Sequence, residues 1–296
     1  MRIVSLVPSA TETLFALGLG DDVAAVTHEC DHPPEALELP KVTRDVLPPG
    51  LEPAEVDAAV RQLIEEGRSI YELDEARLRA LQPDLIVTQA LCGVCAVSID
   101  EVREIAQRME PAPELLSLDP RTLGEVLGDV RSIAEATDAR DAGVGLVQDA
   151  ANRIDRVKLA VRGRAPVAVA AIEWLDPVYV AGHWTPQLIE LAGGHDVLGL
   201  SGEHSERRSW DEVADARPEV VIVMPCGYDA ERALEEALEF GDELAELGAR
   251  RVVAVDAAAY FSRPGPRLVE GLELLAHILH PDAVPDAPDG WREVHL

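Results

Sequence analysis

Lysine is nearly missing from this chain: only Lys41 and Lys158 occur among 296 residues, and Lys plus Arg total 26 against 55 Asp plus Glu. A net charge of −29 excludes nucleic acid and anionic membrane surfaces as partners, because both repel such a surface. The acids are spread along the whole length, so no acidic tail explains the imbalance, and a solvated surface suited to a high-salt cytoplasm fits it. No apolar run approaches the ~20 residues that cross a bilayer, so direct membrane insertion is not expected. Cysteine is scarce: Cys30, Cys92, Cys95 and Cys226 are too few for a disulfide framework at this length, and are either buried thiols or members of a site. Aromatics make up only 4%.

The opening "MRIVSLVPSATETLFALG" is too short in its apolar run, and too soon broken by Pro8, Ser9, Thr11 and Glu12, to be an export signal. It reads as a buried strand followed by a helix capped by Ser9, with Glu12 at the capping-box position. A cytoplasmic location is therefore the expectation, and an extracytoplasmic one the alternative if a leader has been removed.

Short β-rich runs alternate with helical patterns. Strands are expected at Ile3–Val7, Val23–Thr27, Leu85–Thr88, Val167–Ile172, Val220–Val223 and Val252–Val255. Helices are expected at Ser9–Leu17, Asp74–Leu81, Ile99–Arg108, Leu123–Ala136, Gln187–Leu191, Asp211–Ala216 and Arg267–Leu279. This alternation predicts an α/β fold with parallel sheets. Two segment pairs echo each other: "SATETLFALGLGDDV" with "HWTPQLIELAGGHDV", and "LQPDLIVTQALC" with "ARPEVVIVMPC". They favour two similar lobes. Between them, Val144, Val147, Ala150, Ile154, Val157 and Val161 recur at helical spacing, predicting a long helix over 139–163, with Gly143 and Gly145 weakening its first turn. The expected division is a lobe over 1–138, this connecting helix, and a lobe over 164–296.

Ligands of α/β sheets bind beyond the carboxyl ends of the strands, and the unusual residues gather there. They are Pro8 and Ser9; His28, Glu29 and Cys30 within "THECDHP"; Gln89 and then "LCGVC"; Glu173 and Trp174; His183 and Trp184; Cys226; and Phe261 and Arg263. Trp174, Trp184 and Trp210 either stack on a broad ligand or pack a core. Arg263, in a loop stiffened by two prolines, can grip a phosphate, carboxylate or amide. Cys92 and Cys95 have the CxxC spacing of zinc corners and redox thiols. Cys30, Cys92, Cys95 and Cys226, with His28 and His183, are candidate zinc or iron ligands. No phosphate-cradling loop, Ser–His–Asp order or paired carboxylates point to catalysis.

"RIVSLVPSATETLFALGLGDDVAAVTHECDHP", "QPDLIVTQ", "AGHWTPQLIELAGG", "SWDEVADARPEVVIVMPCG" and "YFSRPGPRLVEGLELLAHILHP" occur in the order of blocks in a known family. The chain resembles the periplasmic-binding-protein family for cobalamin and iron–siderophore complexes, above all its cobalamin-binding members. The resemblance implies two Rossmann-like lobes with parallel central sheets, joined by one long rigid helix, with ligand clamped in a cleft between them. It implies a small-molecule ligand, a corrinoid such as cobalamin or a similar large metal chelate, in a monomeric protein that is not an enzyme and requires no cofactor. An ABC-transporter permease is the implied partner. Two other readings stay open: a cytoplasmic metal-ion or metal-cofactor binder built on the Cys/His cluster, and a CxxC thiol redox enzyme.

Overall fold

The computed structural model describes residues 1–48, 50–51, 53–66, 68–90 and 97–296. The chain divides into two compact units: Met1–Pro120 with Glu125–Val147, and Arg121–Gly124 with Gln148–Leu296.

Unit 1 runs β1 (Ile3–Ser5), α1 (Pro8–Ala16), β2 (Val23–Val26), β3 (Thr43–Asp45), α2 (Pro53–Glu65), β4 (Tyr71–Leu73), α3 (Glu75–Leu81), β5 (Leu85–Gln89), α4 (Ile99–Gln107), β6 (Glu114–Leu118), α5 (Leu123–Ala136) and the start of α6 (Arg140–Ala160). Its main sheet has the order β2-β1-β5-β6, every pair parallel. Parallel strands are covered on both faces, so they read as unbroken apolar runs. Successive residues point to opposite faces: Ile3, Leu85 and Val87 join the core beneath α1 and α5, while Val4 and Ile86 join the core with Val102, Ile105 and Ala106 of α4.

The capping expectation at Ser9 is corrected. Helix α1 begins at Pro8, its N-cap is Val7, and no side chain caps it. A proline's fixed φ suits the first helical position, so the helix starts one residue early. Ser9 is then inside it, its carbonyl accepting from Thr13 Oγ1 at 2.8 Å. A complete capping box occurs instead at Ser209 and Glu212.

Helix α6 has 21 residues. Val147 belongs to the core of unit 1, and Ala150, Val157 and Val161 are buried further along. Gly143 has a packing role: a Cβ there would lie 2.5 Å from the Ala134 side chain, so its lack of one lets α6 approach α5.

Unit 2 runs β7 (Val167–Leu175), β8 (Val178–Val180), α7 (Thr185–Leu191), β9 (Gly194–Asp196), β10 (Glu206–Arg207), α8 (Trp210–Asp215), β11 (Val220–Val223), α9 (Ala230–Glu239), α10 (Gly241–Glu246), β12 (Arg251–Val255), α11 (Ala257–Tyr260), α12 (Leu268–Leu279) and β13 (Trp291–Val294). The sheet is β10-β8-β7-β11-β12-β13, with β9 also beside β7. Its centre, β9, β7, β11 and β12, is parallel, and β8, β10 and β13 add antiparallel edges. Strand β7 continues to Leu175, past the expected end at Ile172, because it turns into a hairpin with β8. Glu173 and Trp174 therefore lie on the strand, at an irregularity of its register.

Candidate functional site

In unit 1 the carboxyl ends of β1 and β2 carry a buried hydroxyl network. Ser5 Oγ donates to the Val7 carbonyl at 3.0 Å, and Thr11 Oγ1 donates to Ser5 Oγ at 2.8 Å. With that proton directed to Ser5, Thr11 Oγ1 accepts from the Cys30 thiol 3.0 Å away. Cys30, 1% exposed, is thus a buried thiol engaged as a hydrogen-bond donor.

His28 sits half-buried on the turn after β2. Its Nδ1 is 2.7 Å from Thr43 Oγ1, which also accepts from the His28 backbone N–H at 3.0 Å and lies 2.7 Å from Thr27 Oγ1. The ring packs edge-on to Tyr71 at 4.9 Å. Nε2 is 3.3 Å from Glu29 Oε1, an ion-pair distance outside hydrogen-bonding alignment. Gln89 is buried at the end of β5, Pro8 is half-buried, and Glu29 and Asp31 are exposed. Thr43 and Tyr71, which orient His28, carry no motif; only their places on β3 and β4 bring them to it.

In unit 2 three hydrogen bonds tie together the ends of separate elements. The Trp184 indole N–H donates to the Phe261 carbonyl at 2.8 Å. The Gly227 N–H donates to Ser262 Oγ at 3.1 Å. The Cys226 N–H donates to the Glu173 carbonyl at 3.2 Å. His183, Glu173, Cys226, Phe261 and Arg263 therefore belong to one neighbourhood, as their positions at element ends suggested.

Glu173 has the most altered chemistry in it. Burial pushes its carboxyl up to about 7, with bonds from Ser205 Oγ, at 2.5 Å, and the Gly182 N–H opposing the rise and Asp196 adding to it. Asp196 is itself raised by burial, against the amides of Gly199 and Leu198, which donate to its Oδ1 at 2.7 and 3.0 Å. Those bonds anchor the segment 198–205, which folds back on Gly182 and His183. Ser205 and His204 within it were not foreseen, since nothing in "SGEHSER" signals a partner two elements away.

The tryptophans pack within unit 2. Trp184 is 5% exposed, Trp210 stacks on Phe240 at 6.2 Å, and Trp174 meets Tyr228 edge-on at 5.8 Å against the core of unit 2. Phe261 is buried and Arg263 half-buried. Arg267 is the N-cap of α12. Among the described residues, no three His, Cys, Asp or Glu side chains converge as a metal site. Cys226 is exposed, while Cys92, Cys95 and the rest of "LCGVC" lie outside the described residues.

Comparison with known proteins identifies the family. A family profile described as periplasmic binding protein matches residues 3–251. The chain belongs to this family. The vitamin B12-binding protein of Vibrio cholerae is 23% identical over 276 residues, covering 92% of this chain and 86% of that relative. An uncharacterized ABC transporter substrate-binding lipoprotein of Bacillus subtilis is 24% identical over 294 residues, covering 95% of this chain and 80% of its own length. Among solved structures, the periplasmic vitamin B12 binding protein of Vibrio cholerae superposes with a TM-score of 0.69 at 22% identity, over 94% of this chain and 96% of that one. A periplasmic heme binding protein from Pseudomonas aeruginosa gives 0.75 at 17% identity, over 100% and 98%. At such identities these structures establish the fold of this periplasmic binding protein.

Proposed function

We propose that this periplasmic binding protein takes a corrinoid of the cobalamin type, or a metal chelate of similar size, as the substrate-binding partner of an ABC importer. The observation that carries the reading is the 23% identity to a vitamin B12-binding protein across 92% of the chain. The polar residues at strand ends are consistent with it: Ser9, His28 and Gln89 in unit 1, and Glu173, His183 and Arg263 in unit 2. A protonated Glu173 can donate to a ligand's amide oxygen, and the Arg263 guanidinium can do so in planar fashion. The metal-centre and thiol-enzyme readings draw no support from the relatives.

Calorimetry with cyanocobalamin, cobinamide and haemin tests this. A saturable one-to-one heat with a corrinoid is expected, weakened roughly ten- to hundredfold in Arg263→Ala, the range for losing a hydrogen bond to a charged group. Trp184→Ala is a poor probe, because emptying so buried a position destabilises the fold. Heat with haemin and none with either corrinoid would transfer the assignment to haem, and silence with all three would end it.

A further inference from the structure

His183 lies in the left-handed region with φ +52°. A non-glycine residue there is strained and persists only where its surroundings over-determine it. Here they do. The His183 N–H donates to the Glu203 carbonyl at 2.6 Å, and its carbonyl accepts from the Gly202 N–H at 2.8 Å. Gly182 is pressed so close to the same segment that a Cβ would lie 2.5 Å from backbone atoms of His204 and Ser205. Ser205 is in turn bonded to Glu173.

This locked geometry sets His183 Nε2 3.2 Å from His204 Nδ1, with the rings at 84°. Two neutral imidazoles at that distance share one N–H···N bond. It is also the separation of two nitrogens on one ion: bonds of ~2.0–2.1 Å at a tetrahedral angle put them roughly 3.3 Å apart. His204 is exposed, so its ring can turn until both lone pairs meet at one point while the His183 backbone stays fixed.

We propose that His183 and His204 form a two-imidazole chelate for a borderline divalent transition ion such as Zn²⁺ or Co²⁺. Binding would replace the N–H···N bond by two nitrogen–metal bonds; the proton of that bond moves through solvent to the other nitrogen of its own ring, so that both rings carry their N–H on the nitrogen facing away. Among the described residues no third His, Cys, Asp or Glu joins the pair. The remaining coordination positions are then open to water or to donor atoms of a bound molecule, as in open zinc sites. The site stands whether or not the corrinoid reading holds.

The test is a titration of the full-length, reduced protein with Co²⁺, followed by absorbance, and with Zn²⁺, followed by calorimetry. The expected result is one ion per chain on this site, with a Co²⁺ spectrum free of thiolate charge-transfer bands. His204→Gln, at an exposed side chain, is expected to weaken binding at least tenfold with an unchanged melting temperature, and His183→Gln to do the same. Binding equal to the parent in both variants, a spectrum dominated by thiolate charge transfer, or no binding at either ion would overturn the assignment.

Discussion

The two units follow one plan and differ in where they elaborate it. In unit 1 the order β2-β1-β5-β6 places the first strand between the strand that follows α1 and the strand of "LQPDLIVTQ". In unit 2 β7 lies between β9, which follows α7, and β11, from "ARPEVVIVMPC". The two sequence echoes thus fall on corresponding helix–strand positions of the two sheets. Elaboration falls in different places: unit 1 inserts the antiparallel pair β3–β4 between β2 and β5, while in unit 2 it comes at the first strand, since β1 has three residues and leads directly into α1, whereas β7 has nine and turns back as β8. That hairpin and the segment 198–205 change the chemistry at the strand ends. Unit 1 presents mainly hydroxyls and a thiol, Ser5, Thr11, Thr27, Thr43 and Cys30, with His28 and Glu29 beside them. Unit 2 presents titratable groups, Glu173, His183, Asp196 and His204.

The sharpest way to break this difference is Gly182→Ala. The new methyl would strike backbone atoms of residues 203–205 at 2.5–2.6 Å, with no flexible side-chain end to yield. A loss of about 1–3 kcal/mol in denaturant unfolding is expected, together with loss of corrinoid binding. Wild-type stability and affinity would show that the segment is not held as described.

A smaller effect should come from charge. The Glu173 carboxyl, ordinarily near 4.5, is pushed up to about 7 by burial. The folded chain therefore holds a proton there that the unfolded chain has lost, so this group's stabilisation is full below pH ~4.5 and fades as pH rises through ~7. Glu173→Gln should raise stability at pH 8 by about 1–3 kcal/mol and leave it unchanged near pH 4. A pH-independent difference would contradict the burial argument. Unit 1 offers a parallel in Asp129, whose carboxyl burial pushes up to about 7, with Glu125 and Asp119 adding to the rise.

The smallest expected effect is Gly128→Ala on α5 of unit 1. A Cβ there meets nothing within 4 Å, so the gain is about 0.4–1 kcal/mol from reduced freedom of the unfolded chain. A loss would show that α5 is more tightly enclosed than the packing indicates.

The parallel centres were legible in the sequence because burial on both faces writes itself as apolar runs. Val220–Val223 and Leu123–Ala136 have the bounds their patterns suggest. The antiparallel edges were not. Glu206–Arg207 and Trp291–Val294 are short and polar, and they become strands only by pairing with neighbours. The candidate site was partly legible: residue chemistry at strand ends pointed to Glu173, His183 and Arg263, and in the same way to Trp210, which stacks on Phe240 at the junction of α9 and α10. Thr43, His204 and Ser205 act through partners distant in sequence, and no local spacing encodes those.

Amide hydrogen exchange on the full chain, with and without saturating cyanocobalamin, tests most directly whether these strand ends hold the ligand. Added protection is expected at 27–30 and 88–90 in unit 1, and at 173–174, 182–184, 203–205, 226–227 and 261–263 in unit 2. Protection confined to other segments, or an exchange pattern indifferent to the corrinoid, would contradict it.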